Sequence, residues 1–471
     1  LLVVPLDFGK REHGAQFCLG TGDYLLGKAL RIYNDARGAE YLKERLEKVV
    51  KRHRLLKENV LIVSEDPPSY LFNFIHRFRS LGYDWMRVNA REAKELRTTV
   101  RASSDSIDLS GISQALFNRR AKELEEFDET YHAMKEAARS RRKFVRDETA
   151  AKNRIHARVS VLFPGFLNKD NSGLVPFSEP SLWLMEKDFS SMKIGRMKLE
   201  TLTRNLRKLH VQKPDEKANK LKAFAKTVLP APADLIGYNQ RSLTTKVTHL
   251  RSVTASIEAE ENEMARRLVQ TPGFYLTSVP GVGVPLAGHV VAELGDPLRW
   301  PSIDQTASYA GVVCRQTQTG GKNNPPLKSG LPSDCNRVLR DYLLQLAYHV
   351  GTTPMSLLKG LPVDDEHTLY KHHLRLQNAD ACSRLGTAKK FLKIAKCLVK
   401  QERVYLPAEW LDFDNVDAIP RDAWFGFFKG QFETLKSKWS KYDLSGIDPE
   451  KNRLTREERV IDDLRRRHFE S

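Results

Sequence analysis

The sequence predicts an α/β N-terminal domain followed by an almost entirely α-helical remainder. Two observations carry the division. From residue 1 to about 125, short apolar runs alternate with amphipathic stretches, the pattern of an α/β domain with a mixed sheet. From about 126 the apolar positions recur at helical spacing. A third observation concerns charge: 77 Lys plus Arg face 59 Asp plus Glu, a formal charge of +18. Such an excess favours a polyanionic partner, because each neutralised phosphate releases counterions.

In the first segment, Leu2-Val3-Val4-Pro5-Leu6 reads as a strand delivering a carboxylate, Asp7. A second strand is expected over 16–19 and a basic amphipathic helix over 39–53. Val60-Leu61-Ile62-Val63 is a third strand, again ending on an acid, Glu65. A helix over 70–81 stops at Gly82, and 83–88 is a further strand. Then comes Ser103-Ser104-Asp105-Ser106-Ile107-Asp108-Leu109. With Ser103 or Ser104 as a cap, Asp105 and Asp108 share one helical face while Leu109, Ile112 and Leu116 hold the adjoining face in a core. Acids in a first helical turn are common for dipole reasons alone. Four acids, each at the end of its element, point instead to a pair of Mg²⁺ ions beside a phosphodiester.

The helical part opens with nine basic residues between Met134 and Arg158 against three acids. Arg141, Arg142, Lys143, Arg146 and Arg154 are the candidates for a phosphate-tracking face, opposed to an ordinary solvated one. Over 241–270, Leu243, Leu250, Ile257 and Met264 recur every seven residues, with Val247 and Leu268 on a second seam that Thr254 and Glu261 interrupt. That imperfect heptad can pack within the chain or pair two protomers; pairing into a dimer is the expectation.

At 271 the composition shifts. Ser278-Val279-Pro280-Gly281-Val282-Gly283 reads as a tight glycine turn opening a helix that ends at Leu294 before Gly295. It lacks the third glycine of a dinucleotide fingerprint. Gly281 and Gly283 expose backbone N–H groups suited to a phosphate backbone, although a structural turn explains them equally. The resulting division is 1–125, 126–270, 271–406 and an aromatic-rich tail, 407–471. Five cysteines without a Cys-x-x-Cys pair fit reduced thiols, and no apolar run approaches the ~20 residues of a membrane span. A cytoplasmic protein is expected.

These segments, in this order, resemble the DEDD transposases of the insertion sequence 110/116/902 family. Val4-Pro5-Leu6-Asp7, Val63-Ser64-Glu65, Val88-Asn89-Ala90 and Ser104-Asp105-Ser106-Ile107-Asp108-Leu109 match the N-terminal motifs. Phe163-Pro164 resembles the linker. Ser278-Val279-Pro280-Gly281-Val282-Gly283, Tyr309-Ala310-Gly311 and Asn336-Arg337-Val338-Leu339-Arg340 match the C-terminal domain. The resemblance covers roughly 1–406. It implies an RNase H/RuvC-like N-terminal domain in which Asp7, Glu65, Asp105 and Asp108 bind Mg²⁺, and a small, mainly α C-terminal transposase domain. It also implies a serine that attacks DNA to form a phosphoserine link, a guide RNA encoded by the element, and a homo-oligomer whose active site joins two protomers.

The chain departs from the pattern at that serine. Gln316-Thr317-Gln318-Thr319-Gly320-Gly321-Lys322 occupies the position, leaving Thr319 as the nearest hydroxyl and Lys322 as a basic neighbour. Ser329, ahead of Gly330, is a second candidate, and Cys335 stands where the family usually has glycine. Threonine can act as a nucleophile, but its β-methyl restricts approach. The leading reading is therefore an RNA-guided, Mg²⁺-dependent DNA recombinase. Its alternatives are a RuvC-like junction nuclease using metal-activated water, and a decayed copy that only binds nucleic acid.

Overall fold

The computed structural model describes residues 1–65, 71–97, 104–124, 128–187, 189–313, 316–317, 327–328, 331–332, 335–352, 368–378, 382–405 and 421–469. The chain forms two compact units, Leu1–Asp128 and Glu129–Ser471.

The first unit is built on a mixed sheet of seven strands: β1 (Leu2–Phe8), β2 (Glu12–Ala15), β3 (Cys18–Leu19), β4 (Leu30–Tyr33), β5 (Val60–Glu65), β6 (Asp84–Val88) and β7 (Lys122–Glu123). Their order is β4-β2-β1-β5-β6-β7, with β3 also on β1. β1, β5 and β6 run parallel to one another, and β1, β2 and β4 form an antiparallel meander. The helices are α1 (Ala36–Arg52), α2 (Phe72–Ser80), α3 (Ala90–Glu95) and α4 (Asp105–Phe117).

The sequence predicts one strand over 16–19, whereas two short ones, β2 and β3, flank a break at Gln16–Phe17. β1 pairs with β3 at Leu2 and Val3 and with β2 from Leu6 to Phe8, so the break lies opposite Val4 and Pro5. Proline has no N–H to give a ladder, which is why pairing is interrupted there. β4 lies outside the predicted strands because only its Ile32 is buried, too little alternation to register as a strand.

Alternation along the strands fixes two faces. Leu2, Val4 and Leu6 of β1 and Val60 and Ile62 of β5 pack with Leu42 and Leu46 of α1 and Phe74, Ile75 and Phe78 of α2. Val3 and Val63, four and two residues before Asp7 and Glu65 respectively, pack on the other side with Ala93 of α3 and Ile112 and Ala115 of α4. Asp7 and Glu65 thus belong to the face covered by α3 and α4.

In the second unit, helices Glu129–Leu162 and Ala233–Leu268 (34 and 36 residues) pair along their lengths. Leu243, Val247 and Leu250 pack with Ala151, Ile155 and Val159 in one core, while Met264 and Leu268 pack with Met134, Ala137 and Ala138 in another. The heptad seam is therefore filled within the chain, so it gives no separate support to pairing between protomers. The described part of 407–471 is not an appendage: Phe427, Leu435, Trp439 and Tyr442 join the same core as Phe274, Val282 and Leu294. Lys438 Nζ donates to the carbonyls of Thr277 (2.6 Å) and Val282 (3.1 Å), pinning the glycine turn from behind.

The most demanding group in this core is Glu293, whose side chain is fully buried. It accepts from Arg139 Nε (2.8 Å) and Nη2 (3.0 Å) and from Asn336 Nδ2 (2.9 Å). Burial alone would raise its titration, but Arg139 and Asn336 outweigh it and hold the carboxyl below the usual range. This stabilisation is full at neutral pH and fades as pH falls through that depressed value. Glu293→Ala should cost about 3 kcal/mol by stranding Arg139, read from the denaturant midpoint at constant slope. A loss under about 1 kcal/mol would show that the network adds no net stability.

Candidate active site

The four sequence-predicted acids lie at one rim of the N-terminal sheet. β1 and β5 are paired in parallel up to Leu6 and Ser64, so Asp7 and Glu65 follow as the next residues of neighbouring strands. Ser104, in extended backbone (φ −150°), is the N-cap of α4, but its side chain makes no capping hydrogen bond; Ser103 lies outside the described residues. Leu109, Ile112 and Ala115 are buried against the sheet, and this places Asp105 and Asp108 of the first turn over β1. Leu116, the third predicted anchor, is only half-buried.

Gly14 lies between two of the acids. It sits opposite Asp7 in the β1–β2 ladder. A Cβ on it would lie 3.7 Å from the Asp105 Cβ and 3.9 Å from the Asp7 Cβ, so the two acids flank a position that has no side chain. Asp105 is exposed, while Asp7, Asp108 and Glu65 are half-buried, so the cluster is open to solvent at its edge.

Electrostatics confirm the proximity of three of them. The Asp7 carboxyl is pushed up first by burial, then by Asp108 and Asp105. The main positive counterweight is Arg97, whose Nε lies 2.9 Å from Asp108 Oδ1, both side chains being about 15% exposed. It is an ion pair between two largely buried side chains. Arg97 reaches Asp108 by crossing α4 at Gly111, where a Cβ would lie 2.9 Å from its Cγ and 2.3 Å from the Ala93 carbonyl. Neither Arg97 nor the two glycines stands out in the sequence; their roles depend on contacts between elements.

Among the described residues no three His, Cys, Asp or Glu side chains form a ready ligand set. The donor chemistry nonetheless suits a hard divalent cation: Asp7, Asp105 and Asp108 offer carboxylate oxygens converging on one rim, with one arginine among them.

The candidates in the second unit fare unevenly. Arg141 is turned inward, with its Nη2 2.6 Å from Glu261 Oε1 and its Nη1 3.0 Å from His289 Nε2. His289, stacked on Tyr342 at 4.0 Å, is driven down to about 3 by burial and then by Arg141. Arg142 pairs with Asp341 at 2.5 Å and lies over Tyr342. Lys143, Arg146 and Arg154 are exposed. Gly281 (φ +80°) and Gly283 are half-buried at the start of helix Val284–Leu294. Thr319, Lys322 and Ser329 lie outside the described residues.

Since folding favours protonated Asp7, its cost is absent in acid and complete once pH rises past the raised value. Asp7→Asn should therefore melt above the parent at neutral pH in the absence of divalent ions, and the gain should vanish in acid. A variant that melts lower at neutral pH would contradict the clustering.

A family profile for DEDD transposases, described as "Transposase", matches residues 4–164, and one described as "Transposase IS116/IS110/IS902 family" matches residues 274–355. Curated proteins yield no match. The first match spans the strands and helix that carry all four acids and also Arg139, the second the glycine turn, Glu293 and Asn336. With both halves of that domain pair present in order, the chain belongs to the IS110 family of DEDD transposases.

Proposed function

We propose that this transposase cleaves and rejoins DNA in a Mg²⁺-dependent reaction centred on Asp7, Glu65, Asp105 and Asp108. The observation that carries the reading is the convergence of Asp7, Asp105 and Asp108 on one open rim, with Glu65 at the end of the adjoining strand. When bound, the cation supplies charge neutralisation at the scissile phosphate. The residues themselves do the positioning. Buried Leu109 and Ile112 fix the first turn of α4, Gly14 leaves the space between Asp7 and Asp105, and Arg97 restrains Asp108 until the carboxylate is needed.

In this reading the hydroxyl of Thr319 or Ser329 attacks phosphorus. A new O–P ester forms, the P–O bond to the displaced sugar oxygen breaks, and that oxygen takes up a proton while the attacking hydroxyl gives one up. Lys322 assists at the phosphate, and Lys143, Arg146, Arg154 and the turn at Gly281 and Gly283 track the DNA backbone. An RNA encoded by the element selects the site, and the protein works as a homo-oligomer in the cytoplasm. No helix among the described residues is long and apolar enough to cross a membrane.

Asp105→Asn should abolish Mg²⁺-dependent strand cleavage with melting close to the parent, because Asp105 is exposed. Retained cleavage ends the metal assignment. Denaturing gels of the same reactions should show a protein–DNA adduct; cleavage without one favours attack by water.

A further inference from the structure

A second surface of the N-terminal unit has a different chemistry. β4 is the outer strand of the sheet, and its Arg31 and Tyr33 point to solvent. Helix α1 begins three residues later and packs directly on this strand, because Gly38 lets the backbones meet: a Cβ there would lie 1.9 Å from the Tyr33 carbonyl. The result is a surface depression of about 540 Å³ lined by Arg31, Tyr33, Arg37, Gly38 and Tyr41. Arg37, Tyr41 and Arg45 follow at intervals of four on α1, so arginine and tyrosine alternate along the helix as they do along the strand.

These side chains are not spent on the fold. Tyr33 is 60% exposed and Tyr41 38%, unusual for rings that could have been buried. Arg45 lies over the Tyr41 ring at 5.3 Å and donates from Nε to its hydroxyl at 3.2 Å, fixing the ring's orientation. Arg37 pairs with Asp35 at 3.2 Å, but with the arginine 94% exposed such a pair exchanges readily. Asp35 is itself engaged as the α1 cap, accepting from Gly38 N at 2.7 Å, and Glu40 is paired with Lys43. The depression therefore presents two guanidinium groups, those of Arg31 and Arg37, and two outward rings, with the exposed Arg45 beside it against Tyr41.

We propose that this depression binds an unpaired nucleic-acid strand, with bases stacked on Tyr33 and Tyr41 and phosphates met by Arg31, Arg37 and Arg45. Charge alone would suit any polyanion, but planar rings interleaved with guanidinium planes suit bases that are free to stack, which duplex bases are not. The site goes beyond the acid-rim reading and does not depend on it. It needs neither divalent metal nor cleavage.

The test uses the full chain in EDTA, with fluorescence anisotropy on an unstructured RNA, a DNA of the same sequence and the matching duplex. Exchanging both tyrosines (Tyr33→Ala with Tyr41→Ala) should weaken binding of the unpaired strand by at least about tenfold, the worth of one stacked base, and leave the duplex unchanged. Tyr33→Phe with Tyr41→Phe should restore it, since the rings and not the hydroxyls carry the contact. A 5-iodouracil strand should cross-link to Tyr33 or Tyr41 on irradiation. Tighter binding of RNA or of DNA would identify the partner's sugar, and either supports the site. Equal losses for strand and duplex, or cross-links confined to other residues, would overturn it. Because no metal is present, failure here leaves the acid rim standing, and failure of Asp105→Asn leaves this site standing.

Discussion

Three carboxylates share the rim of one sheet, and the charge that most directly answers them is Arg97. Everything else in the N-terminal unit can be understood as keeping that arrangement in place. The Val-rich strands β1 and β5 carry Asp7 and Glu65 to the same edge, because parallel register forces neighbouring strand ends together. Helix α4 is buried on its Leu109 and Ile112 side so that its first turn stays where the strands end. Gly111 removes the side chain that would keep Ala93 and Arg97 from α4, and Gly14 leaves a bare position between Asp7 and Asp105. Burial first, and then the like charges of Asp108 and Asp105, raise the Asp7 titration, a cost that the fold carries at this rim.

The same logic explains which basic residues are available for DNA. Arg139 and Arg141 look like part of a phosphate-tracking face by composition, yet they are consumed by Glu293 and Glu261 inside the second unit. Lys143, Arg146 and Arg154 on the long helix remain outward, as do the arginines of the depression on β4 and α1. The count of 77 basic residues therefore overstates the surface that meets nucleic acid, because some of them balance buried acids, whereas the net charge of +18 already discounts those pairs.

Much of this was legible in the sequence, for a physical reason. Asp7 and Glu65 each close an apolar run, and Asp105 and Asp108 follow a serine cap, so each acid is marked by its own element's punctuation. The apolar runs of β1 and β5 and the amphipathicity of α1 are local, and they read correctly. Missing from the sequence are relations between elements: the break opposite Pro5, the edge strand β4, the reach of Arg97 over Gly111 and the partners of Arg141. The heptad of 241–270 was visible but its partner was not, since an apolar seam looks the same whether its own chain or a second copy fills it. The aromatic tail gave no sign of its destination either; only packing places Trp439 beside Phe274.

The proposed binding of a cation at this rim is tested most directly by anomalous diffraction from crystals grown with Mn²⁺. The account predicts an anomalous peak within coordination distance of Asp7, Asp105 and Asp108, with the Arg97 guanidinium withdrawn from Asp108. An absent peak at that rim, with Arg97 still against Asp108 in saturating Mn²⁺, would contradict it.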